Sequence, residues 1–180
     1  RQLIVQKEYA NMQLVKSYKI HCLDVVYFGT RKKSGTTPGI TITKALDNYI
    51  SIHDIELQYK KLHGAEQFRI HKAVIKEIAP LVNKTHESGL MHRCLYPKHI
   101  YIEKHFFETG EQETKRPLCR FIDLESARKV SYNSKKQLRD LETLNRRLPT
   151  LNFKGKLYFL LQYLDKTEID KDVRNMIKRI

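Results

Sequence analysis

"SGLMHRCLYPKHIYI", running from Ser88 to Ile102, decides the fold. A glycine closes a run of apolar periodicity, a His-Arg pair follows, then a short loop holding Pro97, then a strand-like apolar stretch. Phosphoryl transfer asks few groups of a protein, because its catalysis is mostly positioning and charge neutralisation. One carboxylate receives the proton of the attacking hydroxyl, and a side chain a few positions on joins a second carboxylate at magnesium. The corresponding loop signature is H-R-D-L-x-x-x-N, with the second carboxylate on the turn after a later strand. His92, Arg93 and Leu95 fall in register with it. His99 stands at the Asn position, and Cys94 occupies the place of the proton-accepting aspartate. "FIDLES" (Phe121–Ser126) then ends an apolar run on Asp123, where the second carboxylate belongs. A lone His-Arg pair, or a strand ending in Asp, carries little by itself. The joint order of helix, Gly89, His92-Arg93, strand, loop, strand and Asp123 carries the reading.

Upstream of this stretch, "QFRIHKAVIKEIAPLVNKTHESG" places Phe68, His71, Val74, Ile75, Ile78, Leu81 and Val82 at helical spacing. That predicts a core-facing helix ending at Gly89, with a kink or break at Pro80, which lacks a donor and clashes one turn back. Near the start, Glu8 to Lys19 reads as a helix with Tyr9, Met12 and Val15 inward. "DVVYFG" (Asp24–Gly29) and "GITITKAL" (Gly39–Leu46) flank the Gly- and Pro-punctuated "TRKKSGTTP" as a loose hairpin. Downstream, strands are expected at His99–Glu103 and Cys119–Leu124, separated by a polar excursion from Phe107 to Pro117. Helices are expected at about Ser134–Arg147, Lys154–Leu164 and Asp170–Ile180. The order fits a predominantly helical α+β domain with small sheets.

With 180 residues, 41% of them hydrophobic, the chain suits one well-packed domain. It has no apolar run long enough to span a bilayer, and "RQLIVQKEYA" does not read as a signal peptide. The three cysteines, Cys22, Cys94 and Cys119, follow no metal-ligand spacing and suggest free thiols in a reducing cytosol. A net charge of +14 points to an anionic partner: nucleic acid, a phosphate-bearing substrate or an anionic membrane face. The basic helices around Lys135–Arg147 and Lys171–Arg179 could meet nucleic-acid phosphates, yet "RDLETLNRR" mixes acids with bases as a solvated helix face does. Neither an H-E-x-x-H pair nor a G-x-x-x-x-G-K-[ST] loop is present. Cys94 with His92 or His99 would suit acyl chemistry, but the flanking pattern fits a kinase loop better.

Several segments together resemble the lipopolysaccharide kinase (Kdo/WaaP) family, within it the InaA-like branch. They are "KEYANMQLV", "VVYFG", "ITITKAL", "SGLMHRCLYPKHIYI", "RFIDLESARK" and "KKQLRDLETLNRR", in order over residues 7 to about 150. "LYPKHI" after His-Arg and "IDLESAR" in place of Asp-Phe-Gly are the most specific. The resemblance implies a protein-kinase-like fold in a Gram-negative bacterium. Residues 1–46 would be part of the N-terminal lobe with the hinge, and residues 47–180 the helical C-terminal lobe. It implies ATP- and Mg2+-dependent phosphorylation of an inner-core lipopolysaccharide sugar by a cytoplasmic protein, peripheral at the inner membrane.

Carried over by position, Glu8 pairs with a nucleotide-binding lysine, and Lys44, Ala45 and Leu46 form the hinge that meets adenine. Asp123 is the magnesium ligand with His99, a histidine the family expects there, as its neighbour. Asp140 buttresses the catalytic loop from below, or is a plain surface carboxylate. Two departures favour a pseudokinase as the alternative. Cys94 replaces the proton-accepting aspartate, and residues 1–7 hold no Gly-rich loop or strand lysine, so the N-terminal lobe is expected to be incomplete.

Overall fold

The three-dimensional structure is a computed structural model, describing residues 4–32, 38–59, 64–112, 116–131 and 135–180, with side chains from residue 68 in the segment that begins at Gly64. The loop residues 33–37, part of the 107–117 excursion and Ser134 lie outside it.

One helix and a hairpin open the described chain. α1 (Ile4–Ser17) buries Met12 and Val15 and leads into β1 (Val25–Thr30) and β2 (Gly39–Thr43). These pair antiparallel, Thr30 opposite Gly39, with a bulge between Val25 and Tyr27. Tyr9 of α1 stacks flat on Phe28 of β1 at 4.1 Å between ring centroids, fixing the helix against the hairpin. β2 stops at Thr43, short of the Leu46 expected from its β-branched run; residues 44–46 are an extended connector.

β3 (Tyr49–Ser51) follows and runs directly into α2 (Ile52–Tyr59). The sequence signal for α2 is "SIHD": Ser51 Oγ accepts the amide of Asp54 at 3.1 Å and donates to its carboxylate, a capping box. α3 (Gly64–Glu87) forms the spine of the domain and buries Val74, Ile75, Ile78, Ala79 and Val82. It runs without a break through Pro80. Phe68, expected inward, is exposed, so the buried stripe begins at Ile70 instead.

Gly89 ends α3 with φ +68, and a Cβ there would meet the Val130 carbonyl at 3.1 Å, so glycine is required by both conformation and space. β4 (Leu90–Met91) pairs with β7 (Arg128–Lys129). A 3-10 turn (Pro97–His99) precedes β5 (Ile100–Glu103), so His99 stands ahead of the strand rather than in it. α4 (Lys104–Thr109) follows, and β6 (Cys119–Phe121) completes a three-stranded antiparallel sheet in the order β3-β5-β6. β6 ends three residues before the expected Leu124, because Asp123 takes a left-handed φ of 57°.

α5 (Lys135–Arg146), α6 (Phe153–Tyr163) and α7 (Lys171–Arg179) close the chain, within a residue or two of their expected limits. Asn152 and Asp170 cap the last two. The core joins α1, α3, α5 and α6 to the three-stranded sheet. All three cysteines are free; burial pushes the Cys22 thiol up to about 11 and raises that of Cys119.

Candidate active site

Residues 92–99 form a loop whose shape is imposed by main-chain hydrogen bonds from below. Asp140 of α5, 1% exposed, accepts the amide of His92 at 2.6 Å on one oxygen and that of Arg93 at 2.8 Å on the other. Charge-assisted bonds of this kind are about twice as strong as neutral ones. They hold Arg93 at φ 69°, a left-handed conformation that a residue with a Cβ seldom adopts. Asp140 is itself met by His86 Nε2 at 3.4 Å, and His86 Nδ1 by the Tyr163 hydroxyl at 2.8 Å. Gln137, one turn earlier on α5, donates to the carbonyls of His86 and Leu90. Asp140 is therefore a buried anchor of the loop, not a surface carboxylate.

His92 points inward. Its Nε2 meets the Ile122 carbonyl at 3.0 Å, so that nitrogen carries the proton and donates. Burial holds the ring below the ordinary histidine range, outweighing the opposite pull of Asp140, and Nδ1 is buried without a partner. His92 thus ties the loop to the segment that presents Asp123. Its role is support, since it does not face the cleft.

His99 and Asp123 come together. His99 Nδ1 faces the Cys94 carbonyl at 2.8 Å, and Nε2 lies 3.1 Å from Asp123 Oδ2. With Nδ1 facing a carbonyl, Nε2 is the nitrogen turned to the carboxylate, where it can donate a hydrogen bond or share a cation with it. Among the described residues no group of three His, Cys, Asp or Glu side chains could hold a metal ion by itself. Magnesium sites built on one or two carboxylates and completed by phosphate oxygens need no more protein than this. Asp123 sits at φ 57°, its side chain 36% exposed.

Glu8 of α1 lies within electrostatic reach of Asp123. Its carboxyl is raised above the usual range, first by burial and then by the charges of Asp123 and Glu125. The charges of Asp123 and Glu125 thus reach Glu8, and a cation bound at Asp123 would relieve that repulsion. The segment after Asp123 is pinned to the same helix by Asn11, whose Nδ2 donates to the carbonyls of Leu124 (2.7 Å) and Ala127 (2.8 Å).

Cys94 is half-buried between Arg93 and Leu95, its carbonyl accepting from Tyr96 N–H at 2.7 Å as well as from His99. The connector Lys44-Ala45-Leu46 lies beyond β2, with Lys44 and Ala45 exposed. Lys44 spends its amide on the Asp24 carbonyl at 2.8 Å, and the Leu46 carbonyl accepts from Tyr49. No other backbone hydrogen bond of the three is made among the described residues. A cavity of about 210 Å³ lies elsewhere, between α5, α6 and α7, walled by Leu141, Leu144, Leu148, Leu157 and Ile177. No residue of the 92–99 loop lines it.

Sequence reasoning passed over His86, Tyr163, Asn11, Asp24 and Arg120. None was singled out by residue type or spacing; each matters through a partner far along the chain.

Residues 2–164 match the family described as lipopolysaccharide kinase (Kdo/WaaP) family, and the chain belongs to it. No curated protein matches the sequence. Among solved structures, one described as "WaaP in complex with acyl carrier protein" aligns with a TM-score of 0.73. The alignment covers 97% of this chain and 69% of that one, at 17% sequence identity. The fold is thus the kinase-like α+β fold that the loop and its two flanking strands implied. No helix among the described residues is long and apolar enough to cross a membrane.

Proposed function

We propose that this member of the lipopolysaccharide kinase (Kdo/WaaP) family binds ATP with Mg2+ in the cleft between Glu8, Asp123 and the 44–46 connector, and phosphorylates a hydroxyl of an inner-core lipopolysaccharide sugar. The observation that carries the reading is the meeting of His99 and Asp123 at 3.1 Å over a loop clamped by Asp140. The half-exposed Asp123 carboxylate beside His99 fits the implied metal, and Asp123 would hold it, with His99 as its neighbour. ATP supplies the phosphoryl group, and magnesium the charge that lets phosphate approach carboxylates.

The chain's own groups do the positioning. The amides of Ala45 and Leu46 would meet an adenine edge, and Glu8 would orient a lysine toward the phosphates. Asp140, His86 and Tyr163 hold the loop under the acceptor. Residues 1–46 and 47–180 act as the two lobes. The net charge of +14 favours approach to an anionic glycolipid at the cytoplasmic face of the inner membrane. An acyl carrier protein, the partner named for the WaaP structure, is a further candidate partner.

Cys94 favours a second reading, a pseudokinase that keeps nucleotide binding for regulation. A thiol replaces a proton-accepting carboxylate poorly, and losing a general base costs on the order of 10²–10⁴ in rate. Calorimetric titration with ATP, with and without magnesium, tests the shared premise. Magnesium-dependent binding that disappears in Asp123→Asn is expected; no binding at millimolar ATP, or an unaffected variant, would overturn the site. Phosphate transfer to inner-core lipopolysaccharide that rises in Cys94→Asp from near zero would then favour the pseudokinase reading of the native chain.

A further inference from the structure

Between the hinge connector and the strand that delivers Asp123 lies a charged junction that neither the loop nor the metal site uses. Arg120, in the middle of β6, has a side chain only 11% exposed. Its Nη1 donates to the Cys22 carbonyl at 2.7 Å and to Asp24 Oδ2 at 2.9 Å. Its Nε donates to the Tyr49 hydroxyl at 3.1 Å, and that hydroxyl donates to the Pro117 carbonyl at 2.7 Å. Asp24 is equally committed. Its Oδ1 receives Lys16 Nζ at 3.2 Å, and its main-chain carbonyl receives the Lys44 amide at 2.8 Å.

These partners are not a random sample of the fold. Lys16 ends the helix that carries Glu8; Lys44 begins the connector that continues through Ala45 and Leu46. Tyr49 leaves that connector, its amide on the Leu46 carbonyl at 2.9 Å. Arg120 stands three residues before Asp123. All three parts of the proposed nucleotide cleft therefore meet at one carboxylate–guanidinium pair. A neighbouring backbone bond, Phe121 N–H to the His21 carbonyl at 3.0 Å, fixes the approach of the 20–24 segment to β6 but does not reach the connector.

We propose that Asp24 and Arg120 are positioning residues that fix the span between the connector, where adenine would sit, and Asp123, where the phosphates and their metal would sit. The proposal rests on the nucleotide reading above. Neither residue is placed to touch ligand, so their effect falls on a molecule that must reach both ends at once. A bidentate ligand gains from the effective concentration of its second end only when the span is held, and that gain is lost when the two ends can drift apart. Burial by itself would raise the Asp24 carboxyl, but the hydrogen bonds and charges of Lys16 and Arg120 outweigh it and hold it below the usual range, which keeps the pair ionised.

The experiment compares dissociation constants of MgATP, adenosine and magnesium tripolyphosphate, by calorimetry on the whole chain, for the native protein, Asp24→Asn, Arg120→Lys and Arg120→Met. Asp24→Asn preserves size at a side chain that is 45% exposed, so it should fold even if Arg120→Met does not. MgATP should weaken by about tenfold in Asp24→Asn, while adenosine and tripolyphosphate each stay within about twofold. Arg120→Lys should recover part of the loss. Equal weakening of all three ligands, or a MgATP loss that merely follows a fall in melting temperature, would reduce the pair to a structural contact and overturn the proposal. Native protein that binds MgATP and an Asp24→Asn that binds it equally well would sink this inference alone. Native protein that binds no MgATP would sink the nucleotide reading, and the inference with it.

Discussion

Replacing Asp140 with Asn tests the clamp beneath the catalytic loop. The carboxylate accepts two buried main-chain amides, at 2.6 and 2.8 Å. An amide keeps one acceptor oxygen but turns an NH2 toward the second N–H, so one charge-assisted bond is lost and one buried donor is left unpaired. Hydrogen bonds to charged groups contribute about 1.5–3 kcal/mol, and an orphaned buried donor costs about 1–3 kcal/mol. These overlap, because the lost bond and the orphan are the same amide, so the expected loss is about 2–3 kcal/mol. For a domain of this size that lowers the melting temperature by about 4–12 °C. The amides of His92 and Arg93 should lose about 30- to 150-fold of their hydrogen-exchange protection if the loop opens locally. Asp172→Asn, which removes an exposed 3.7 Å contact with Lys166 and a first-turn charge of α7, serves as a control and should cost less than about 1 kcal/mol. An Asp140→Asn variant that loses less than about 1 kcal/mol, with both amides still protected, would refute the idea that this carboxylate shapes the loop.

Two further outcomes follow from the same geometry. Arg93 holds φ 69°, so Arg93→Gly should be more stable than Arg93→Val by about 1–2 kcal/mol in urea unfolding, and equal midpoints would remove the strain argument. His92 has its folded-state pKa lowered by burial, so the unfolded chain takes up the proton first as pH falls. Its contribution is therefore complete above about pH 6.5 and is lost on acidification toward the folded-state value, by at most about 1.4 kcal/mol per pH unit. His21 and His71 are lowered by burial as well, so His92→Gln should reduce the acid slope without abolishing it. A slope unchanged between pH 7 and about 5 in that variant would show that His92 does not titrate as a buried neutral ring.

What the sequence made legible followed its periodicities and its one motif. α3 announces itself by its apolar spacing, and α5, α6 and α7 form within a residue or two of where they were expected. The His92–His99 loop and Asp123 announce themselves by register. α2 was not expected; its local sign is the Ser51/Asp54 pair, whose acid is Asp rather than the usual Glu. β4 and β7 are two residues each, too short for any alternation to be seen. Phe68 satisfied the helical stripe yet is exposed, because periodicity names a face and not where along the helix that face gains a neighbour. The partners of Asp140 and Asp24 lie 48 and 96 residues away, and no local pattern records such separations.

Among the described residues, the four non-glycine ones with left-handed backbone divide into two kinds. Lys19 and Asp165 follow helix ends, where the amides of Ile20 and Lys166 reach back to Val15 and Leu161 at 3.1 and 2.9 Å; such closures favour that conformation. Arg93 and Asp123 close no helix. Arg93 is held there by Asp140, and that clamp acts on main chain, as do the two bonds to the Cys94 carbonyl. The loop can therefore keep its shape whatever side chain stands at position 94. Asp123 differs, because its carboxylate is 36% exposed, and the fold would hold a glycine at φ 57° with less strain. Keeping a strained, half-exposed carboxylate against His99, with Glu8 raised beside it, costs stability that packing does not return. Under the proposed reading, Asp123 and His99 would form the cation-binding end of the cleft. A loop whose shape is indifferent to Cys94 can lose its base without losing that end.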